Sequence, residues 1–284
     1  MDLFISRRHC LAAVLALGGS LTPPYAAARD RGSFSFDATG ISEAAVKDHG
    51  AEISKQVYAL RAGYAPVGLR IKHTVYGYSG SERYISDTDQ VVIDARYGGK
   101  LDKGWGWFAG AGYGIGYEED IHFSENWQLL LAAGVSAPLG ETTQGFLGAA
   151  TILNEARNKF TPIIGIKFGN PEDLGWSGGI AYPYTKATYR FDPVWSVELR
   201  FDSTKDLVQL RDDSQLAPRG YVMEESNDIG LQFNLTPDAG VHLHAGIRYY
   251  FSREFELFNS AADSIGEYEL DPAWGIYAGV NIGF

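Results

Sequence analysis

The chain is short of several things. It has one cysteine, Cys10, and two methionines in 284 residues. A single cysteine excludes a disulfide scaffold and any multi-cysteine zinc module. Basic residues are also scarce, 24 Lys and Arg against 35 Asp and Glu, for a formal net charge of -11. That balance excludes general nucleic-acid binding, which needs clustered cations to neutralise phosphates. Beyond the first segment no apolar run reaches the roughly 18 residues of a transmembrane helix. What is abundant is glycine, 34 residues, and aromatics, with 15 Phe, 17 Tyr and 6 Trp. With an apolar fraction of 45%, this is not a disordered chain, and the mix leans towards β structure.

Residues 1–28 read as a secretory signal peptide. Arg7 and Arg8 form its positive start, Leu11 to Leu17 its apolar stretch, and Ala26, Ala27 and Ala28 a small-residue cleavage site. The apolar stretch is far shorter than the roughly 20 residues that span a bilayer. Ser6, Arg7 and Arg8 suggest a twin-arginine variant, but that route suits folded cargo, and the general secretion route suits the rest of this chain better. Cys10 precedes the apolar stretch, so it is not placed for acylation, and it departs with the leader.

Downstream, the dominant period is two. Trp105, Trp107, Ala109, Ala111, Tyr113, Ile115 and Tyr117 alternate with Gly106, Phe108, Gly110, Gly112, Gly114 and Gly116. A strand puts two such sets on opposite faces, whereas a helix would scatter both. The same holds around Ile93, Leu131, Leu199, Leu231, Ile247 and Ile276. Either a soluble sandwich or a membrane barrel produces this pattern. The barrel is favoured because the rows reach the 9 to 11 residues of a tilted spanning strand. Aromatics also end the rows, as girdles do: Trp105 and Tyr117, Trp195 and Phe201, Trp274 and Phe284. Tight turns at residues 138–141 and 236–240 alternate with charged loops at 79–89, 118–120 and 211–227, as expected of the two sides of an outer membrane.

The segment from Tyr277 to Phe284 (YAGVNIGF) looks like the C-terminal assembly signal of bacterial outer-membrane barrels, carried by Tyr277, Gly279, Ile282 and Phe284. Residues 29–284 resemble those barrels as a whole, and most of all the uncharacterised porin-like members. Tyr189 to Trp195 (YRFDPVW) and Tyr268 to Trp274 (YELDPAW) are similar to their hairpin units. The resemblance implies fold and compartment, with outer-membrane lipid and the barrel assembly machinery as partners, but no activity.

The expected fold is all-β, an antiparallel up-and-down transmembrane barrel of about twelve strands, ten or fourteen being alternatives. Thirteen candidate strands emerge: 52–64, 67–78, 89–98, 104–118, 125–137, 143–153, 161–169, 175–190, 193–203, 205–211, 225–236, 239–256 and 267–284. An odd number is incompatible with both ends on one side, and 205–211 is the weakest candidate. Residues 29–50 are expected to form a polar extension, with 33–38 as a possible short strand, and 51–284 the barrel.

Chemistry is sparse. His122 and Ser124 have the spacing of the catalytic His and Ser of some outer-membrane lipid hydrolases, but Ser136 stands where a third, orienting group would be needed. His242 and His244 share a face with Arg248, without a third metal ligand nearby. His73, among apolar neighbours, suits a barrel rim. The Gly110 to Gly116 alternation lies within a strand, so it is no phosphate loop; it would thin the inner wall or let side chains approach from across the barrel. The candidate lumen lining is Asp94, Arg96, Glu198, Arg200, Asp202, His242, His244 and Arg248. No catalytic residue, metal or cofactor is assigned. The expected function is a passive or weakly selective channel for small solutes in the outer membrane. A structural or adhesive barrel working through loops 79–89 and 211–227 is the alternative, with a lipid hydrolase behind it.

Overall fold

The computed structural model describes residues 32–47, 49–79, 85–119, 121, 125–182, 184–238 and 240–284. The predicted leader, with Cys10, and the pair His122 and Ser124 lie outside the described residues. Among the described residues, fifteen strands follow one another: β1 (Gly32–Ala45), β2 (Glu52–Tyr64), β3 (Val67–Ser79), β4 (Thr88–Lys100), β5 (Gly106–Tyr117), β6 (Trp127–Pro138), β7 (Thr143–Asn154), β8 (Lys159–Phe168), β9 (Gly175–Tyr182), β10 (Thr185–Arg190), β11 (Trp195–Gln209), β12 (Tyr221–Asp238), β13 (Val241–Phe258), β14 (Ser264–Leu270) and β15 (Ala273–Gly283). Each pairs antiparallel with its chain neighbour as far as β14, and the ring closes because β15 pairs with both β13 and β1.

β14 and β15 are two halves of one stave. β13 pairs with β15 along Val241 to Tyr250 and with β14 along Arg253 to Phe258. The break falls at Asp271 and Pro272, where proline has no N–H to donate to a ladder. The barrel therefore has fourteen staves, an even number that leaves both ends on one rim. Three differences separate this from the thirteen strands expected. Residues 193–203 and 205–211 are one strand, β11; residues 175–190 are two, β9 and β10. And Gly32–Ala45, placed in the polar extension, is β1, paired along its length with β2 and β15. Its Ser35, Asp37 and Thr39 face a wet interior while Phe34 and Phe36 face out, so its polarity marks an inner face and not a tail.

The two Asp-Pro units also part company. Residues 191–194 do form the β10–β11 turn, where Asp192 Oδ1 accepts from the backbone N–H groups of Val194 and Trp195 at 2.7 and 2.8 Å. The second unit interrupts a stave instead of turning a hairpin.

The outside is apolar and exposed. On β15 the outward row runs from Trp274 (59% exposed) through Ile276 to Phe284 (71%). Its ten residue steps, at about 3.3 Å each and a tilt of about 40°, span about 25 Å, the height of the apolar band of a membrane barrel. Tyr64, Tyr97, Trp105, Trp195 and Phe284 are exposed near the rim that carries the termini; Tyr113, Phe160, Phe251 and Trp274 are exposed near the other. Exposed aromatic girdles and an exposed belt of Ile, Leu and Val between them are stable only against hydrocarbon and its interfaces. The turn 139–142 and Gly240 lie at the terminal rim, and the described residues of the charged loops at the opposite one.

Beyond the upper girdle β13 and β14 continue as a fin. There Glu254 faces Glu269 and Glu256 faces Glu267 across the pair, and Glu225 of β12 faces Glu254 from the other side. Lys47 reaches Glu269 at 2.8 Å and Arg157 reaches Glu256 at 2.9 Å. Like charges directly opposed in a sheet are destabilising, so Glu254→Lys is expected to raise the urea midpoint of the lipid-embedded barrel by the equivalent of about 0.5 kcal/mol. A lowered midpoint would show that these carboxylates are held by something other than each other.

Candidate functional site

Inside the staves the alternation inverts, and charge replaces hydrocarbon. Two adjoining cavities of about 540 and 210 Å³ share Arg61, Lys72, Arg200, Asp206 and Arg248 in their walls. The larger begins near the terminal rim, at Arg190, His242 and Asn281, and ends under Lys55 and Glu224. Together they are lined by nine Lys or Arg against six Asp or Glu, an excess of cations in a chain whose net charge is -11.

Six of the eight expected lumen residues line these cavities: Glu198, Arg200, Asp202, His242, His244 and Arg248. Asp94 and Arg96 share a strand face with Gln90 and Val92 of the smaller cavity, and Arg96 Nε donates to Asp94 Oδ2 at 2.8 Å. The centre of the site is a two-row array on β11, β12 and β13. Arg200, Gly230 and Arg248 form one row, and Asp202 faces Asp228 in the next. Arg200 Nε donates to Asp202 Oδ2 at 2.6 Å; Arg248 lies 3.5 Å from the same oxygen and 3.7 Å from Asp228 Oδ1. Arg248 also stacks over the Tyr277 ring at 4.4 Å, and Arg200 lies 5.8 Å from the Tyr184 ring. Asp202 and Asp228 are essentially without solvent exposure. Sequence reading reaches Arg200, Asp202 and Arg248 but stops one step short of Asp228.

The two imidazoles are held apart by different partners. His244 Nε2 meets Asp37 Oδ1 at 2.8 Å, and His242 Nδ1 meets Thr236 Oγ1 at 3.0 Å. Gly279 makes room for the first pair: a Cβ there would sit 2.6 Å from both Asp37 and His244. Of the predicted assembly signal, then, Tyr277 and Gly279 serve the interior, while Ile282 and Phe284 face outward. His73 pairs with Asp89 at 3.0 Å, its side chain 43% exposed.

The loop-side mouth is closed, and the agent is the end of β11. A round barrel of fourteen staves at about 4.8 Å spacing and 40° tilt would be about 28 Å across. β11 and β5 stand six staves apart, yet Gln209 bridges to Tyr117, and the Glu118 N–H donates to the Gln209 carbonyl at 3.0 Å. The strand end has folded inward across the lumen. Lys72 of β3 pairs with Asp206, and Lys55 of β2 pairs with buried Glu224 of β12. Gln128 of β6 donates to the Leu207 carbonyl at 2.9 Å. Above these polar ties lies an apolar cap that includes Ile53, Ile85, Val208, Leu210, Val222 and Phe255. The last glycine of the β5 stripe, Gly116, lies under this crossing: a Cβ there would be 2.4 Å from the Leu207 carbonyl oxygen. At this one glycine something does approach from across the barrel, a backbone and not a side chain, whereas Gly112 and Gly114 face Asp94 and Val92 of the neighbouring β4.

Known proteins offer little to lean on. No family model matches the chain, and no curated protein does. Among solved structures it is similar to an outer membrane channel from Pseudomonas putida F1, with a TM-score of 0.44 and 13% identity over 89% of this chain and 94% of that one. It is also similar to the NanC porin, with a TM-score of 0.41 and 7% identity over 88% of this chain and 100% of that one. A third is the KdgM porin, solved with disordered oligogalacturonate, with a TM-score of 0.35 and 9% identity over 88% of this chain and 99% of that one.

Proposed function

We propose that the protein is a passive, weakly selective channel for small solutes in the outer membrane, seen here with its loop-side mouth closed. The observation that carries this is the charged cavity that runs inside the apolar barrel from the terminal rim to the cap. A barrel that served only as a scaffold would gain nothing from keeping this many ionised groups around open volume, since unpaired buried charge is costly. Export and insertion into outer-membrane lipid by the barrel assembly machinery form part of the same reading, which the exposed apolar belt supports.

The adhesive alternative loses ground. Residues 221–227 of its second loop belong to β12 and Ala217 is buried in the cap, which leaves Asp212, Asp213, Gln215, Pro218 and Arg219 as the exposed part of that loop. The hydrolase alternative rests on His122 and Ser124, and nothing in the lumen adds to it.

Purified protein in planar lipid bilayers is expected to give discrete but infrequent conductance steps. Complete silence at all voltages, from protein shown to be folded by heat-dependent gel mobility, would overturn the channel reading.

A further inference from the structure

Arg61 and Arg70 sit directly opposite each other on β2 and β3. Both line the smaller cavity, and Arg61 lines the larger one too. Neither guanidinium has a hydrogen-bond or ion-pair partner among the described residues. The charges around Arg70 are Arg61, Asp206, Asp94 and Arg96. Both carboxylates are already engaged, Asp206 by Lys72 and Asp94 by Arg96. The contrast with the rest of the lumen is sharp, since Arg200, Arg248, Lys55, Lys72 and Lys186 each face a carboxylate.

A directly opposed pair of like charges weakens a sheet, and here the carboxylates near Arg70, Asp94 and Asp206, are each paired with another cation. Opposed residues have Cα atoms about 4.5–5.5 Å apart, so two planar five-donor forks project side by side into water. Such forks match an oxyanion in bidentate fashion, and a group held between two of them gains charge-assisted hydrogen bonds from each. We infer that Arg61 and Arg70 form an oxyanion-binding subsite, and that the solutes the channel favours are small and carry a carboxylate or a comparable oxyanion. The inference deepens the channel reading and rests on it for transport, though not for binding. The surplus of cations along the cavities works the same way, drawing anions in and leaving Arg61 and Arg70 to hold them.

The test has two arms. In the first, succinate is titrated into the detergent-folded barrel by calorimetry, with inorganic sulfate as a second oxyanion and glucose as the neutral control. Binding of both anions and not of glucose is expected. Arg61→Gln with Arg70→Gln should weaken it about tenfold or more, while Arg61→Lys with Arg70→Lys, which keeps charge but loses the forks, should fall between. In the second arm, reversal potentials in a KCl gradient should show preference for chloride over potassium, reduced in the Gln pair and largely kept in the Lys pair. Equal succinate affinity in wild type and the Gln pair, or no binding to wild type, would overturn the subsite. A silent bilayer with intact, Arg-dependent succinate binding would instead remove the channel and leave the subsite standing.

Discussion

Asp206→Asn combined with Glu224→Gln should convert a mostly closed channel into a mostly open one, with open probability rising about tenfold or more in bilayer recordings. Both carboxylates lie on the inward-folded ends of β11 and β12, and both tie those ends to lysines on β2 and β3. Removing one partner of a buried pair costs about 3–5 kcal/mol, because it strands the other charge. That cost falls on the closed state; once the mouth opens, Lys55 and Lys72 return to water. Even about 1.4 kcal/mol of it surviving as a difference between states shifts the equilibrium tenfold. Gly116→Val tests the same closure by shape alone. It leaves both ion pairs in place but drives carbon into the Leu207 carbonyl, and it should open the mouth in the same sense. If both variants fold and conduct like wild type, the crossing of β11 does not close the pathway.

The barrel is readable because period two survives any local detail. Rows such as Trp274 to Phe284 and Trp195 to Phe201 need no tertiary information to declare two faces, and the face rule then assigns Arg200, Asp202, His244 and Arg248 to the inside. β1 is hidden because its inner face is Ser35, Asp37 and Thr39 and its outer face has only Phe34 and Phe36 before Ala38, so average polarity masks the alternation. Asp228 escapes because the alternation on β12 is clear only from Ile229 and Gly230 onward, and the inward row continues one step before it. Arg61 escapes because its inward neighbours, Val57 and Ala59, look like an outer face, whereas Arg70 and Lys72, between Leu69 and Ile71, carry a signal of the same kind as Arg200 and Asp202. The mouth closure lies beyond sequence reading altogether. It depends on a strand end contacting a stave six positions away through one bridge, and no local pattern marks such a contact. Only the glycines of β5 hint at it, and they say that something approaches without saying what.

The Arg200–Asp202–Arg248 array makes the sharpest demand on stability. Asp202 serves two guanidiniums at once, while Asp228 sits directly opposite it with neither carboxylate oxygen hydrogen-bonded. The two acids are both buried and face each other across β11 and β12, but their expected contributions differ. Asp202→Ala leaves Arg200 without its 2.6 Å acceptor and Arg248 with a single distant one, which should cost about 3–5 kcal/mol. Asp228→Asn removes one charge from a pair of facing carboxylates. The loss of attraction to Arg248 at 3.7 Å is then offset by relief of repulsion from Asp202, so the net change should stay within about 1 kcal/mol. Urea unfolding of the two variants in lipid vesicles, followed by tryptophan fluorescence, reads both values on one scale. Equal losses would mean that the array acts as a symmetric four-charge cluster. The unequal hydrogen bonding of the two acids would then carry no energetic weight, and Arg248 would lean on Asp228 as heavily as on Asp202.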